Sequence, residues 1–139
     1  MKTVLLVDDD QELLKSLGAV LDRIGHRVIA KSGAQAALSD LREGAPVDLV
    51  IADYCMPEID GMEFLIQLKR MLPKVPVIML TGYGAVETYL KALSIGAFEY
   101  VNKPVKPTEL DRIIQAALAS AAQERPAGRA GAGSAFDRD

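Results

Sequence analysis

Leu49-Val50-Ile51-Ala52-Asp53 is a run of four apolar residues closed by a carboxylate, and its reading decides the fold. It is too short for a helix, too uniformly apolar for a strand with one wet face, and bounded by charge at Asp48 and Asp53. Such a run suits a strand of a parallel sheet covered on both sides. Four further runs have the same character: Val4-Leu5-Leu6-Val7, Val28-Ile29-Ala30, Val77-Ile78-Met79-Leu80 and Tyr100-Val101. Helical spacing fills the gaps. Leu13, Leu14, Leu17, Val20, Leu21 and Ile24 recur on one helix face, as do Leu110, Ile113, Ile114, Ala117 and Leu118. Further helix signals cover Ala34 to Glu43, Met62 to Met71 and Ala85 to Ile95, with Gly25, Gly44, Pro73 and Gly96 at the expected stops. Five β-α units follow in order. Right-handed crossovers then give an α/β domain with a doubly wound five-stranded parallel sheet, whose working crevice lies beyond the carboxyl ends of the strands.

Composition sets the outer limits. The 139 residues carry 16 Lys plus Arg against 19 Asp plus Glu, a formal net charge of −3, with 50% hydrophobic residues. That balance fits one globular domain and excludes a basic nucleic-acid-binding stripe, so no direct nucleic-acid contact is expected. The single cysteine, Cys55, excludes an internal disulfide, and no Cys/His cluster has zinc spacing. The N-terminus lacks a signal-peptide core, and no apolar run approaches the roughly 20 residues of a membrane helix. A cytoplasmic protein without membrane contact is expected. The domain is expected over residues 1–123, followed by a flexible tail or linker stub over 124–139, where Pro126, Gly128, Gly131 and Gly133 break any pattern.

The residues that follow the strands carry the chemistry: Asp8, Asp9 and Asp10 after the first, Asp53 after the third, Thr81 after the fourth and Lys103 after the fifth. Two carboxylates about 4 Å apart repel by about 4 kcal/mol at an effective dielectric near 20, so a cluster needs compensation. A hard divalent cation together with Lys103 supplies it, and Mg2+ commonly bridges carboxylates to phosphoryl oxygens. Phosphoryl transfer to Asp53 as nucleophile is the leading chemistry, with Thr81 as a hydroxyl donor. Read singly, the residues are plainer. Asp9 with Glu12 has the capping-box spacing, Lys103-Pro104 suits a helix entry, and Met56-Pro57 with Gly61 suits a turn. His26 in Gly25-His26-Arg27 reads as a solvated turn residue, and Cys55 as an unreactive side chain near the site.

The set Val7-Asp8-Asp9, Asp53-Tyr54-Cys55-Met56-Pro57-Glu58-Ile59-Asp60-Gly61, Leu80-Thr81-Gly82 and Tyr100-Val101-Asn102-Lys103-Pro104 resembles the receiver domain of two-component response regulators, over about Lys2 to Ala122. The resemblance implies a flavodoxin-like fold with strand order 2-1-3-4-5, which spacing alone does not supply. It implies Asp53 as phosphoacceptor, loaded from a sensor histidine kinase or a phosphotransfer protein, and a switch rather than a turnover enzyme. Asp8, Asp9, Asp53 and the backbone carbonyl of Cys55 would hold Mg2+. Thr81 and Lys103 would contact the phosphoryl group, Gly82 would keep the pocket open, and Pro104 would follow a cis peptide bond. Tyr100 resembles the aromatic switch that turns inward with Thr81. The implied readout surface, and the surface of a homodimer, is the face of the fourth helix, fifth strand and fifth helix.

Gly82-Tyr83-Gly84-Ala85-Val86-Glu87 with Gly96-Ala97-Phe98-Glu99-Tyr100 is similar to receivers of the nitrogen-regulatory type, which often precede an ATPase domain for transcription activation. Tyr83 is bulky and, with Cys55, is expected to shield a phosphoryl group from water. Three alternatives stand beside this reading. A haloacid-dehalogenase-type phosphatase uses similar residues but expects an Asp-x-Asp nucleophile after the first strand and a cap insertion. A flavin carrier would want a hydroxyl- or glycine-rich phosphate loop where three aspartates stand. A receiver-like interaction domain that is never phosphorylated is the third.

Overall fold

The structure, a computed structural model, describes residues 1–82 and 86–124. Tyr83 and all of the expected tail over 124–139 except Glu124, which ends the last helix, lie outside the described residues. Numbering only the strands of the main sheet, β1 is Thr3–Val7, β2 Arg27–Lys31, β3 Leu49–Asp53, β4 Val77–Thr81 and β5 Glu99–Asn102. Five helices alternate with them: α1 Gln11–Arg23, α2 Ala34–Arg42, α3 Gly61–Met71, α4 Val86–Ile95 and α5 Pro107–Glu124. All neighbouring strands pair in parallel, and the order across the sheet is β2-β1-β3-β4-β5. The doubly wound α/β sheet expected from the sequence is therefore the fold.

Side chains alternate across a strand, so each buried strand divides its apolar residues between two layers. Leu5, Val7, Val50, Ala52, Val77 and Met79 face α2, α3 and α4, in a cluster that includes the fully buried Phe64. Val4, Leu6, Leu49, Ile51, Ile78 and Leu80 face α1 and α5, against Leu14, Leu17, Leu21, Leu110 and Ile114. This double use explains why the runs read as continuously apolar. The edge strands depart from it: Val28 and Ile29 of β2 are only half-buried, because an edge strand lacks a neighbour on one side. Among the described residues, no helix is long and apolar enough to cross a membrane.

The alternation also fixes the faces of the strand ends. Asp53 shares parity with Leu49 and Ile51, toward α1 and α5, whereas Thr81 shares parity with Val77 and Met79, toward α3 and α4. Gly25, Gly44 and Gly96 have φ of 98°, 89° and 128°, left-handed values that let the chain leave α1, α2 and α4 at those points.

Two expectations need correction. The α1 cap is Asp10, not Asp9: Asp10 Oδ1 accepts from the Glu12 and Leu13 amides at 3.0 and 3.3 Å. The helix starts one residue later than the capping-box spacing implied, which leaves Asp9 exposed at the sheet rim. His26 is not a solvated turn residue. It is 8% exposed, and both ring nitrogens lack a hydrogen-bond partner. Gly25 turns the chain at once into β2, where Arg27 donates to the Lys2 carbonyl at 2.8 Å, so His26 is held between the helix end and the sheet.

Loss of an aspartate cap costs about 1 kcal/mol. Asp10→Ala is expected to lower the unfolding free energy by about that amount in urea, while Asp9→Ala leaves it unchanged or raises it. The reverse ranking would contradict the assigned cap.

Candidate functional site

The parallel sheet delivers β1, β3, β4 and β5 to one rim, and the rim collects the charges. Asp8 follows β1 and is 1% exposed, Asp53 ends β3 and is 4% exposed, and Asp9 is open to solvent. One carboxylate oxygen from each of the three lies within 4.8 Å of the other two. Lys103, just past β5, sets its Nζ 3.0 Å from Asp8 Oδ2 and 3.3 Å from Asp53 Oδ1. Its amide donates to the Thr81 carbonyl, which ties the β5 end to the β4 end. The Lys103–Pro104 peptide bond is cis.

Local backbone completes the arrangement. Asp8 Oδ1 accepts from the Asp10 amide at 2.9 Å, and Asp53 Oδ1 from the Cys55 amide at 3.2 Å. After Asp53 the chain makes a two-residue ribbon, with Cys55–Met56 antiparallel to Ile59–Asp60. Asp60 then caps α3 by accepting from the Met62 and Glu63 amides. Gly61 is glycine for room, since a Cβ there would collide with the Tyr54 carbonyl and ring. The Cys55 side chain is exposed and unpaired in any disulfide.

Charge and burial oppose each other here. Burial pushes the Asp53 carboxyl above the ordinary carboxylate range; the Cys55 hydrogen bond works against this, Asp8 adds to it, and Lys103 opposes it. For Lys103, burial alone would lower the pKa, but its hydrogen bond to Asp8 and the charges of Asp53 and Asp8 carry it above the usual lysine value. Three carboxylates around one ammonium leave net negative charge in a half-buried pocket with only oxygen donors. That donor set fits a hard divalent cation such as Mg2+ and excludes a thiolate or imidazole site.

Thr81, wholly buried, ends β4 on the other side of the sheet, where Tyr100 packs at 7% exposure. Gly82 is exposed, and a Cβ there would meet nothing within 4 Å. The Tyr100 ring makes edge-to-face contacts with Tyr54 at 5.9 Å and Tyr89 at 6.2 Å. Burial raises the Tyr100 pKa, the nearby Thr81 and Thr88 hydroxyls pull it back in part, and the phenol makes no hydrogen bond of good geometry. Sequence reasoning named Tyr100 but missed Tyr54 and Tyr89, which have no shared period with it. It also missed Asp60, although Asp60 and Glu63 have the capping-box spacing.

Residues 4–115 match the family described as the response regulator receiver domain. Transcriptional regulatory protein GlrR of Escherichia coli K12 is 41% identical over 120 residues, covering 86% of this chain and 27% of the relative. The chain thus spans about a quarter of the length of that relative. Among solved structures, a response regulator receiver domain protein from Clostridium thermocellum has TM-score 0.83 and 31% identity, over 88% of this chain and 98% of its own. NtrX from Brucella abortus, in complex with ADP, has TM-score 0.84 and 28% identity, over 95% of this chain and 31% of its own. Its presence agrees with the nitrogen-regulatory likeness. The phosphatase and flavin-carrier alternatives fall away. With the match running from β1 into α5 and a whole receiver structure sharing the fold, this chain belongs to the response regulator receiver domain family, the phosphoacceptor switches of two-component signalling.

Proposed function

We propose that Asp53 is the phosphoacceptor, loaded from a phosphohistidine on a sensor histidine kinase or a phosphotransfer protein. The observation that carries this reading is the meeting of Asp8, Asp9 and Asp53 within 4.8 Å beside an ammonium that touches two of them. An Asp53 carboxylate oxygen attacks phosphorus, the phosphorus–nitrogen bond of the donor breaks with its electron pair returning to the imidazole, and an acyl phosphate forms. Both bonds to Asp53 fall on Oδ1, from the Cys55 amide and Lys103, which leaves Oδ2 to attack. Water later cleaves the acyl phosphate, releasing inorganic phosphate and restoring the carboxylate. The chain assists both steps on itself and needs no separate turnover substrate.

Asp8, Asp9, Asp53 and the Cys55 backbone carbonyl would hold Mg2+, which when bound neutralises charge on the phosphoryl oxygens. Lys103 stays protonated at neutral pH and meets the same charge from the other side. The Thr81 hydroxyl donates to a phosphoryl oxygen, and the open space at Gly82 admits the donor. A charge-assisted hydrogen bond of this kind contributes roughly 1.5–3 kcal/mol. Drawing Thr81 toward the phosphoryl group favours the inward Tyr100 and biases the face of α4, β5 and α5, where Val86 and Leu90 are 73% and 57% exposed. That face is the proposed readout and homodimer surface. Control of transcription, through domains other than this one, is the proposed use, and the cytoplasm the proposed location.

Intact mass after incubation with Mg2+ and acetyl phosphate tests the reading. Wild type is expected to gain one phosphoryl group, with none on Asp53→Asn or after chelation of the metal. Equal uptake by Asp53→Asn would sink the assignment, and no uptake by wild type from acetyl phosphate or from phosphorylated kinases would return the chain to a phosphorylation-independent interaction domain.

The same substitution has a consequence for stability without metal. A carboxyl whose pKa is raised by folding makes the fold bind protons more tightly, so its cost is full above the folded pKa and absent below the unfolded one. In chelator, Asp53→Asn is expected to raise the unfolding midpoint by a few degrees at neutral pH, with the gain disappearing as pH falls into the ordinary carboxylate range. A gain that grew on acidification would contradict the raised pKa.

A further inference from the structure

Helix α2 has no cap of its own. Gly33 occupies the N-cap and offers no side-chain acceptor, although a helix start leaves its first amides without partners. The acceptor comes from elsewhere in the chain: Glu58, 23 residues beyond, sets Oε1 3.1 Å from the Gln35 amide nitrogen. A carboxylate there also meets the positive end of the helix dipole. Gly33 makes the approach possible, because a Cβ at that position would stand 2.6 Å from Glu58 Oε1 and 3.1 Å from its Cδ. Its φ of −167° is ordinary extended backbone. Room for Glu58, not conformation, is what glycine supplies at this position.

Glu58 lies on the turn of the ribbon that follows Asp53. One end of that ribbon is the Cys55 amide, bonded to Asp53 Oδ1; the other is Asp60, bonded to the start of α3. Met56 and Ile59 pack the sides of the ribbon into the core, and Glu58 adds a polar tie at its tip. With it, the loop is fastened at the acceptor carboxylate, at α3 and at α2. We propose that Glu58 is a positioning residue for phosphorylation: by capping α2 across the molecule it holds the ribbon so that the Cys55 backbone stays registered on Asp53. Glu58 makes no contact with the acidic cluster and acts only through the ribbon. The inference rests on the reading of Asp53 as phosphoacceptor.

Three variants of the whole chain separate positioning from mere capping. Glu58→Ala removes the acceptor, and Glu58→Gln keeps one acceptor oxygen. Gly33→Ser puts a Cβ 2.6 Å from the position of Glu58 Oε1, which forces the carboxylate to shift, and gives α2 a hydroxyl cap that competes for the same amides, so it loosens the Glu58 tie while preserving the helix start. Phosphorylation by acetyl phosphate is followed by intact mass against Mg2+ concentration, and amide hydrogen exchange over residues 54–60 is measured without metal. Glu58→Ala and Gly33→Ser are expected to raise the Mg2+ concentration for half-maximal rate by roughly threefold to tenfold, the net worth of one hydrogen bond. Both are also expected to speed exchange over residues 54–60. Gly33→Ser should do so with an unfolding midpoint no lower than wild type, and Glu58→Gln should fall between wild type and Glu58→Ala. If Gly33→Ser kept wild-type Mg2+ dependence and exchange, Glu58 would be a cap and nothing more. Absence of phosphorylation in wild type would overturn the parent reading instead, while the metal-free exchange still tests the clamp.

Discussion

Three carboxylates held at one rim with a single ammonium among them is the constraint on which this domain turns. At about 4 Å and an effective dielectric near 20, each carboxylate pair repels by about 4 kcal/mol, and burial raises that further. The fold accepts this for function. Lys103 reaches Asp8 and Asp53 together, which offsets part of the repulsion and holds the β5 end against the rim. What remains is an excess of negative charge on oxygen donors. That excess suits a divalent cation, while burial, with the charge of Asp8 adding to it, holds the Asp53 carboxyl above the ordinary range.

The two layers of the sheet then divide the labour. Asp53 has the parity of the α1 and α5 layer and Tyr100 packs in the α3 and α4 layer, so the carboxylate and the tyrosine ring lie on opposite faces of the sheet. The Tyr54, Tyr100 and Tyr89 rings form an edge-to-face chain from the residue after Asp53 to the exposed surface of α4. Each such contact is worth about 0.5–1.5 kcal/mol, whereas driving a two-state element from 1:99 to 99:1 takes about 5.5 kcal/mol. Under the proposed mechanism the rings would therefore bias the switch without throwing it. The larger share would come from charge: Thr81, Lys103 and the cation acting on a group of about −1.5 to −2.

Most of this was legible in the sequence, and the reasons are physical. In a parallel sheet covered on both faces, strands advertise themselves as short apolar runs, and the residues after them must share one rim; Asp8, Asp53, Thr81 and Lys103 could be read together on that ground alone. Strand order could not, because crossovers of similar length permit several orders, and it came from the resemblance. The cap slipped by one residue because Asp9 and Asp10 offer the same carboxylate. The burial of His26 depended on how tightly Gly25 turns the chain. Glu58 on Gln35 and the packing of Tyr54 and Tyr89 on Tyr100 are contacts between distant segments, for which no periodicity leaves a trace.

Calorimetric titration of the metal-free chain with Mg2+ tests the central claim most directly, since it asks only whether the uncompensated carboxylates form a cation site. One ion per wild-type chain is expected, with affinity at least about tenfold weaker in Asp9→Asn, a loss of about 1.4 kcal/mol. Lys103→Met should bind the ion more tightly, because it removes the competing internal cation. Equal affinity in wild type and Asp9→Asn, or no binding to wild type, would contradict the account.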